Sequence, residues 1–262
     1  MHPLRLNDLA KLDNGKNIFF RKYEYVLPLF DQLRNYEVPC ILISGNSDYP
    51  ITEELASMAP SCIKTWFGQV VQTDNPLLVP LPVGLENTDD CILEGQGSGR
   101  PWRTVKKETL QNPPERIPSR EIYANFNIGN YGGRVRVAQI CKNLSYITCD
   151  IYNQPQDDAP LSFYEYATNI VDHKMVVCPR GNAPCDTHRL WETIHLGRVP
   201  IIKYKKPIAS FVGAPIIVLD DWEQLSDLEF LNSEYERVKN NPKDMAYLNY
   251  WESLIKEAGD LL

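Results

Sequence analysis

The sequence of 262 residues lacks any apolar run near the length of about 20 residues that a membrane-spanning helix needs. None of its seven cysteines forms a C-x-x-C pair, which excludes the common zinc-ribbon and dithiol redox motifs. Because the cysteine count is odd and several cysteines lie in apolar stretches, we expect reduced thiols. No apolar segment of signal-peptide length follows Met1. Together these absences predict a soluble protein of the cytoplasm with no transmembrane segment.

An excess of basic residues is also absent. The chain has 34 acidic and 27 basic residues and a net charge of −7, which argues against nucleic acid as a partner. Hydrophobic residues make up 43% and charged residues 23%, as in ordinary globular proteins. This composition excludes a disordered chain, collagen and a coiled coil.

Short apolar runs and helical patterns alternate along the chain. The pattern predicts strands over 40–43, 77–85, 122–128, 146–151, 174–178, 199–202 and 215–219. It predicts helices over 22–35, 52–59, 134–144, 162–170 and 186–196, and a helical tail over 223–260. Strands that alternate with helices indicate the α/β class with a parallel sheet.

The alternation is interrupted in the middle of the chain. Residues 89–101 are acidic and then glycine-rich, and residues 112–120 are rich in proline, so we expect a linker or an exposed connection. Two α/β units on either side predict an N-terminal Rossmann-like domain over 1–115. A second Rossmann-like domain is predicted over 120–262, facing the first across a cleft.

The strand, glycine-rich turn and helix at 122–144 favour a phosphate-binding site. The turn has the pattern G-x-x-G-G, and Arg134 and Arg136 lie in the first turn of the helix, where free N–H groups attract anions. Asp150 follows about twenty residues later, as the ribose-binding acid of a dinucleotide site does. An NAD-dependent oxidoreductase that uses Gly129–Arg134 and Asp150 is therefore an alternative, and so is a purely structural turn.

A second candidate anion site lies at 178–192. A strand ends in a polar loop, and a helix follows with Asp186 or Thr187 as its cap. Arg180 and Arg189 lie near the helix N-terminus, and the carboxylate of Glu192 is suited to hold ribose hydroxyls. An exposed pair of Arg189 and Glu192 on the protein surface fits the spacing equally well.

Two patterns are compatible with a metal ion, but neither is specific. His188, Glu192 and His195 share one helical face, yet they do not form the H-E-x-x-H motif. The pair Asp220-Asp221 follows an apolar strand, and Asp221 is better explained as the cap of a helix that begins near Trp222.

The motifs of the C-terminal half resemble those of the exostosin-type glycosyltransferases. The similarity is clearest in Pro179-Arg180-Gly181, in Asp186–Glu192 and in Leu196–Ile201. Tyr123–Asn130 is similar to the opening strand and turn of the family's nucleotide-binding half. Weaker similarity to the acceptor half covers Ile43–Ile51, Trp66–Gln69 and Pro82–Asn87.

The resemblance implies a GT-B fold of two Rossmann-like domains and an inverting glycosyltransferase that needs neither a catalytic metal nor a cofactor. It implies a hexosyl- or pentosyltransferase whose donor is a nucleotide sugar, UDP-sugar before GDP-sugar, and whose acceptor is an oligosaccharide or glycan. A catalytically silent relative that binds sugar or nucleotide is the remaining alternative.

Glycosyl transfer assigns a role to each group of candidate residues. The leaving diphosphate needs positive charge from the helix N-termini and nearby arginines, and the ribose needs Glu192. The acceptor hydroxyl needs a base, for which Asp48 at a strand end is the first choice and Glu86 the second. The full set expected to bind the donor is Asn127, Asn130, Arg134, Arg136, Arg180, Gly181, Asn182, Thr187, Arg189 and Glu192.

Overall fold

A computed structural model describes residues 2–87, 101–153, 161–203, 211 and 213–262, and only the backbone of 101–105. The acidic and glycine-rich part of the predicted connection, 89–100, lies outside these residues. Within them, no helix is both long and apolar enough to cross a membrane. The six cysteines in the described part of the chain are free thiols.

The first sheet has four parallel strands in the order β1-β2-β3-β4. The strands are β1 (Ile18–Lys22), β2 (Cys40–Gly45), β3 (Ile63–Gly68) and β4 (Leu78–Pro80). Every residue of β2 is buried, which confirms that the apolar run at 40–43 forms an internal parallel strand. The run at 77–85 pairs over only three residues, because Pro80 and Pro82 have no N–H to donate to a neighbouring strand.

Two helices accompany this sheet, α1 (Val26–Leu33) and α2 (Glu53–Ser57). The predicted helix at 22–35 is shorter in the structure, since Tyr23–Tyr25 forms a separate 3-10 turn. Thr52 caps α2 as predicted, because its side chain accepts a hydrogen bond from the Leu55 N–H at 3.3 Å.

The second sheet has five parallel strands in the order β6-β5-β7-β8-β9. The strands are β5 (Arg120–Ala124), β6 (Ile147–Cys149), β7 (His173–Val177), β8 (Val199–Lys203) and β9 (Ile217–Leu219). The chain leaves β5 towards one edge and then returns to the other side of β5 at β7. This reversal is a topological switch point, the place where open α/β sheets bind ligands. Both sheets confirm the predicted α/β class with parallel strands.

The described residues also form six further α-helices: α3 (Pro101–Gln111), α4 (Gly133–Lys142), α5 (Phe163–Asp172), α6 (His188–His195), α7 (Leu228–Val238) and α8 (Leu248–Asp260). The sequence did not predict α3, which lies in the interrupted region and packs against α5. The strand predicted to reach 128 ends at Ala124, because the Asn127 side chain accepts the Gly129 N–H and begins a 3-10 turn. The helical tail is divided into α7 and α8 by a short connection.

The C-terminal helix returns to the first sheet. α8 packs against β2, and one apolar core contains Ile43 of the first sheet, Trp191 of α6 and Trp251 of α8. The start of α8 also contacts the N-terminal segment, since the Leu248 N–H donates to the carbonyl of His2 at 2.9 Å. The shared core and these contacts hold the two sheets together. The carboxyl ends of strands from both sheets border one cleft.

Candidate functional site

The cleft between the two sheets has a volume of about 680 Å³. Its first wall follows the ends of β2 and β4 and includes Asn46, Ser47, Asp48 and Glu86. Its second wall follows the ends of β5 and β7 and continues into α6. The strands point their carboxyl ends towards the cleft from both sides, so it lies at the switch point of the second sheet.

The N-terminus of α6 forms part of the second wall. Thr187 is the N-cap, but its side chain caps no backbone N–H, and its Oγ1 is buried with no hydrogen-bond partner in the described chain. The guanidinium of Arg189 makes no hydrogen bond or ion pair with any described residue, and its Nε is buried. A helix N-terminus with unpaired donors beside it is an environment that attracts anions.

Arg134 lies beneath this wall and organises it. Its side chain is only 3% exposed and donates to three backbone carbonyls: Arg180 O at 2.7 Å, Asn127 O at 2.8 Å and Pro179 O at 3.2 Å. These bonds join the loop after β5 to the loop after β7. Burial, reinforced by the positive charge of Arg189, lowers the pKa of Arg134 to about 9. The two neighbouring cations therefore create a positive potential that an anion in the cleft would relieve.

Lys106 connects the two walls, and sequence reasoning missed it. Its Nζ forms ion pairs with Glu192 on α6 and with Glu86 on the first wall, the latter at 3.2 Å. Tyr166 donates to the other oxygen of Glu192 at 2.9 Å. The predicted ribose-binding carboxylate thus lies in the cleft, but it is 4% exposed and already has two partners.

The ion pairs of Lys106 determine the ionisation of this cluster. Burial alone would lower the pKa of Lys106, but the two glutamates outweigh this effect and raise it. Burial alone would raise the pKa of Glu192, but Lys106 outweighs this effect and lowers it. The lysine and the carboxylate of Glu192 are therefore both charged at neutral pH.

Asp48 lies on the first wall at the tip of β2. Its side chain is exposed and makes no hydrogen bond or ion pair with the described part of the protein. The preceding Asn46 has a left-handed backbone (φ +58°), and its N–H donates to Gln69 Oε1 at 2.9 Å. Asn87 donates to the Asn46 side chain at 3.0 Å. The turn that carries Asp48 is therefore fixed in place, while its carboxylate is available to a ligand.

Asp186 joins the two halves where the walls meet. Its Oδ2 accepts hydrogen bonds from the Val83 N–H at 2.7 Å and from Trp191 Nε1. The side chain is 6% exposed and lines the cleft, and burial raises its pKa. Sequence reasoning considered Asp186 only as a helix cap, because its hydrogen bond with Val83, 103 positions earlier, leaves no local signal in the sequence.

Most of the residues expected to bind the donor line the cleft together, namely Asn127, Asn130, Arg134, Gly181, Asn182, Thr187, Arg189 and Glu192. Arg136 and Arg180 are not among the lining residues. Arg136 lies two positions after Arg134, on another face of α4, and forms an ion pair with Glu223 outside the cleft. Arg180 stacks on Tyr131, with its guanidinium carbon 4.2 Å from the ring centre.

The three residues of the possible metal face do not converge. His188 Nδ1 bonds to the carbonyl of Gly84 at 2.8 Å, and His195 Nε2 bonds to the carbonyl of Ala246 at 3.1 Å. Asp221 caps the 3-10 helix Trp222–Ser226, as its spacing predicted. Within the described ranges, no three His, Cys, Asp or Glu side chains form a group that could hold a metal ion.

The dinucleotide alternative depended on Asp150. Its carboxylate accepts hydrogen bonds from the Tyr123 hydroxyl at 2.8 Å and from Asn169 Nδ2 at 3.3 Å, and it is not among the residues that line the cleft. The acid is therefore engaged in a network behind the cleft, and no observation in this region favours an oxidoreductase.

No protein-family model matches the chain. No curated protein matches it either. Among solved structures, the chain is similar to the wall teichoic acid polymerase TagF with CDPG, at 10% identity and a TM-score of 0.31. The alignment covers 90% of this chain and 86% of that one. A TM-score this low supports no argument about function.

Proposed function

We propose that the protein is an exostosin-type glycosyltransferase with a GT-B arrangement of two Rossmann-like domains. In this proposal it transfers a sugar from a nucleotide donor, UDP-sugar first, to a saccharide acceptor with inversion. The observation that carries the proposal is the wall at the start of α6, where the side chains of Arg189 and Thr187 make no hydrogen bond or ion pair with any described residue.

The position of this wall supports a phosphorylated ligand. It lies at the switch point of the second sheet, and a helix N-terminus, a free guanidinium and the buried charge of Arg134 converge there. Such an arrangement stabilises the negative charge that develops on a diphosphate as it leaves. Glu192 is then available to the ribose through the lone pairs that Lys106 and Tyr166 leave open.

The opposite wall supports the transfer step. Asp48 has no described partner, whereas Glu86 is paired with Lys106, so Asp48 is the better candidate for the base. The base would remove the proton of an acceptor hydroxyl as the oxygen attacks the anomeric carbon from the side opposite the diphosphate. The nucleotide diphosphate leaves, and the configuration at that carbon is inverted.

Nucleotide binding tests the proposal directly. The purified protein is compared by thermal shift and calorimetry with UDP, GDP, CMP and NAD. A ligand at 100 times its Kd stabilises the folded state by about 2.7 kcal/mol, which is readily measured. We expect a shift with UDP that Arg189→Met abolishes and that Arg34→Met preserves, because Arg34 is exposed, pairs with Asp31 and is not among the residues that line the cleft.

Turnover is then measured as UDP release from UDP-sugars in the presence of an oligosaccharide panel. UDP binding with acceptor-dependent release supports the transferase. UDP binding without turnover on any acceptor favours a silent relative, and NAD binding without UDP binding contradicts the proposal.

A further inference from the structure

Three buried side-chain atoms without a hydrogen-bond partner in the described chain lie within four positions at the start of α6. They are Asp186 Oδ1, Thr187 Oγ1 and Arg189 Nε. Native proteins leave few buried polar atoms unpaired, because each has lost its water without a replacement. Since all three residues line the cleft, a bound ligand is the natural partner for this group.

The three side chains differ in chemistry, and this limits the ligand. Thr187 and Arg189 donate hydrogen bonds and suit a phosphate group, whereas the carboxylate of Asp186 would repel one. A ligand that satisfies all three must carry an anionic group and, directly beside it, a neutral hydroxyl. The junction between sugar and phosphate in a nucleotide sugar has this combination.

Asp186 is held so that only one oxygen is available. Its Oδ2 is engaged by the Val83 N–H and by Trp191 Nε1, which fixes the side chain and leaves Oδ1 without a described partner. The contact with Val83 places Asp186 where the α6 wall meets the wall that carries Asp48. A hydroxyl bound there would belong to the part of the ligand nearest the proposed base.

We propose that Asp186 is a specificity-determining residue whose Oδ1 accepts a hydrogen bond from a hydroxyl of the transferred sugar, while Thr187 and Arg189 hold the adjacent phosphate. This inference rests on the proposed function and adds the orientation of the donor. The sugar lies towards Val83 and Asp48, and the phosphate lies against the N-terminus of α6.

The test uses Asp186→Asn, which keeps an oxygen for Val83 and Trp191 but replaces the free acceptor by an amide donor. Calorimetry measures the Kd of UDP and of a panel of UDP-sugars. We expect the Kd of UDP to stay within about twofold and the Kd of the preferred UDP-sugar to rise at least about tenfold, as the loss of a hydrogen bond to a charged group predicts. Asp260→Asn, an exposed carboxylate at the end of α8, is the matched control and should change neither Kd.

Two further measurements keep the test decisive. Thr187→Val should weaken UDP and UDP-sugar equally, because Thr187 is assigned to the phosphate. The wild-type protein should bind one deoxy analogue of the preferred UDP-sugar at least about tenfold more weakly than the UDP-sugar itself. The Asp186→Asn variant should bind that analogue and the UDP-sugar with the same Kd. The wild-type measurement stands even if the variant fails to fold.

The outcomes separate the two proposals. Asp186 has no role in sugar recognition if Asp186→Asn leaves the Kd of the UDP-sugar unchanged, or if it raises the Kd of UDP as much as that of the UDP-sugar. The same conclusion follows if the wild-type protein binds all deoxy analogues with the same Kd. If the wild-type protein binds no nucleotide at all, the proposed function itself is wrong.

Discussion

Lys106 on α3 and Glu192 on α6 form a buried ion pair. The pair joins α3, which follows the first sheet and precedes the second in the chain, to the wall of the cleft. Removing one partner of a buried pair leaves an uncompensated charge and costs about 3–5 kcal/mol. We therefore expect Lys106→Met to lower the free energy of unfolding by about this amount in urea denaturation. Lys106→Met combined with Glu192→Gln should recover part of the loss.

Arg34→Met is the matched control for this prediction. Arg34 forms its ion pair with Asp31 at the surface, where the two side chains are 74% and 72% exposed, and such pairs contribute at most about 1 kcal/mol. Equal destabilisation by Arg34→Met and Lys106→Met would show that the buried pair contributes no more to stability than an exposed pair.

The same pair predicts a pH dependence at both ends of the range. The pKa of Glu192 is lowered from its usual 4.5. Its contribution to the free energy of unfolding is therefore fully present above pH 4.5 and is lost as the pH falls through the folded-state pKa. The pKa of Lys106 is raised from 10.5, so its contribution is present below that pH and is lost as pH rises further. The difference in unfolding free energy between wild type and the neutral double variant should be flat between these limits and change outside them. A difference that stays constant down to pH 2 would contradict the assignment.

His195 predicts a separate loss of stability in acid. Burial lowers its pKa from 6.5 to about 4, so the unfolded chain binds a proton before the folded protein does. Stability therefore falls as pH decreases from about 6.5 to 4, by up to roughly 3 kcal/mol for this group. His195→Gln keeps a donor for the Ala246 carbonyl but cannot titrate, so its denaturation midpoint should depend less steeply on pH in this window. Identical pH profiles for the two proteins would show that His195 does not titrate there.

The sequence was most informative where the candidate site is built from residues that are neighbours in the chain. The strand end, the polar loop and the helix around 178–192 are contiguous in the chain, so the sequence predicted them without knowledge of the tertiary fold. The buried run at 40–43 was equally clear because every residue is apolar. By contrast, the sequence did not predict β1 and β3. These strands are short and mix polar with apolar residues, so no clear strand pattern identifies them in isolation.

Tertiary contacts explain what sequence reasoning missed. Lys106 lies 86 positions before Glu192, in a region without clear apolar periodicity, so nothing local indicates that its charge is buried. Arg134 and Arg136 look alike in the sequence, yet one is buried under the cleft and the other pairs with Glu223. Two positions along a helix correspond to about 200°, and only packing decides which face is inside.

Arg134 predicts a strong effect of a conservative change. Its three nitrogens donate to three carbonyls at once, and a lysine cannot reproduce this fork. We expect Arg134→Lys to lower the free energy of unfolding by about 2–4 kcal/mol, because each buried carbonyl left unpaired costs about 1–3 kcal/mol. Arg237→Lys, at an exposed pair with Glu234, should change it by less than about 1 kcal/mol. Denaturation in urea measures both, and equal values would contradict the role given to Arg134.

Asp48 and Glu86 make different contributions if the proposed base is correct. Asp48→Asn removes a carboxylate with no described partner, so UDP-sugar binding and stability should be preserved while kcat falls by about 10²–10⁴-fold, the usual contribution of a general base. Glu86→Gln removes one partner of Lys106, so it should lower stability and leave kcat within about tenfold. Steady-state kinetics on each variant, with Asp260→Asn as the exposed control, measures the difference. A Glu86→Gln variant that loses turnover while Asp48→Asn keeps it would move the base to Glu86, and the lysine beside it would then act on the ionisation of the base rather than only on the fold.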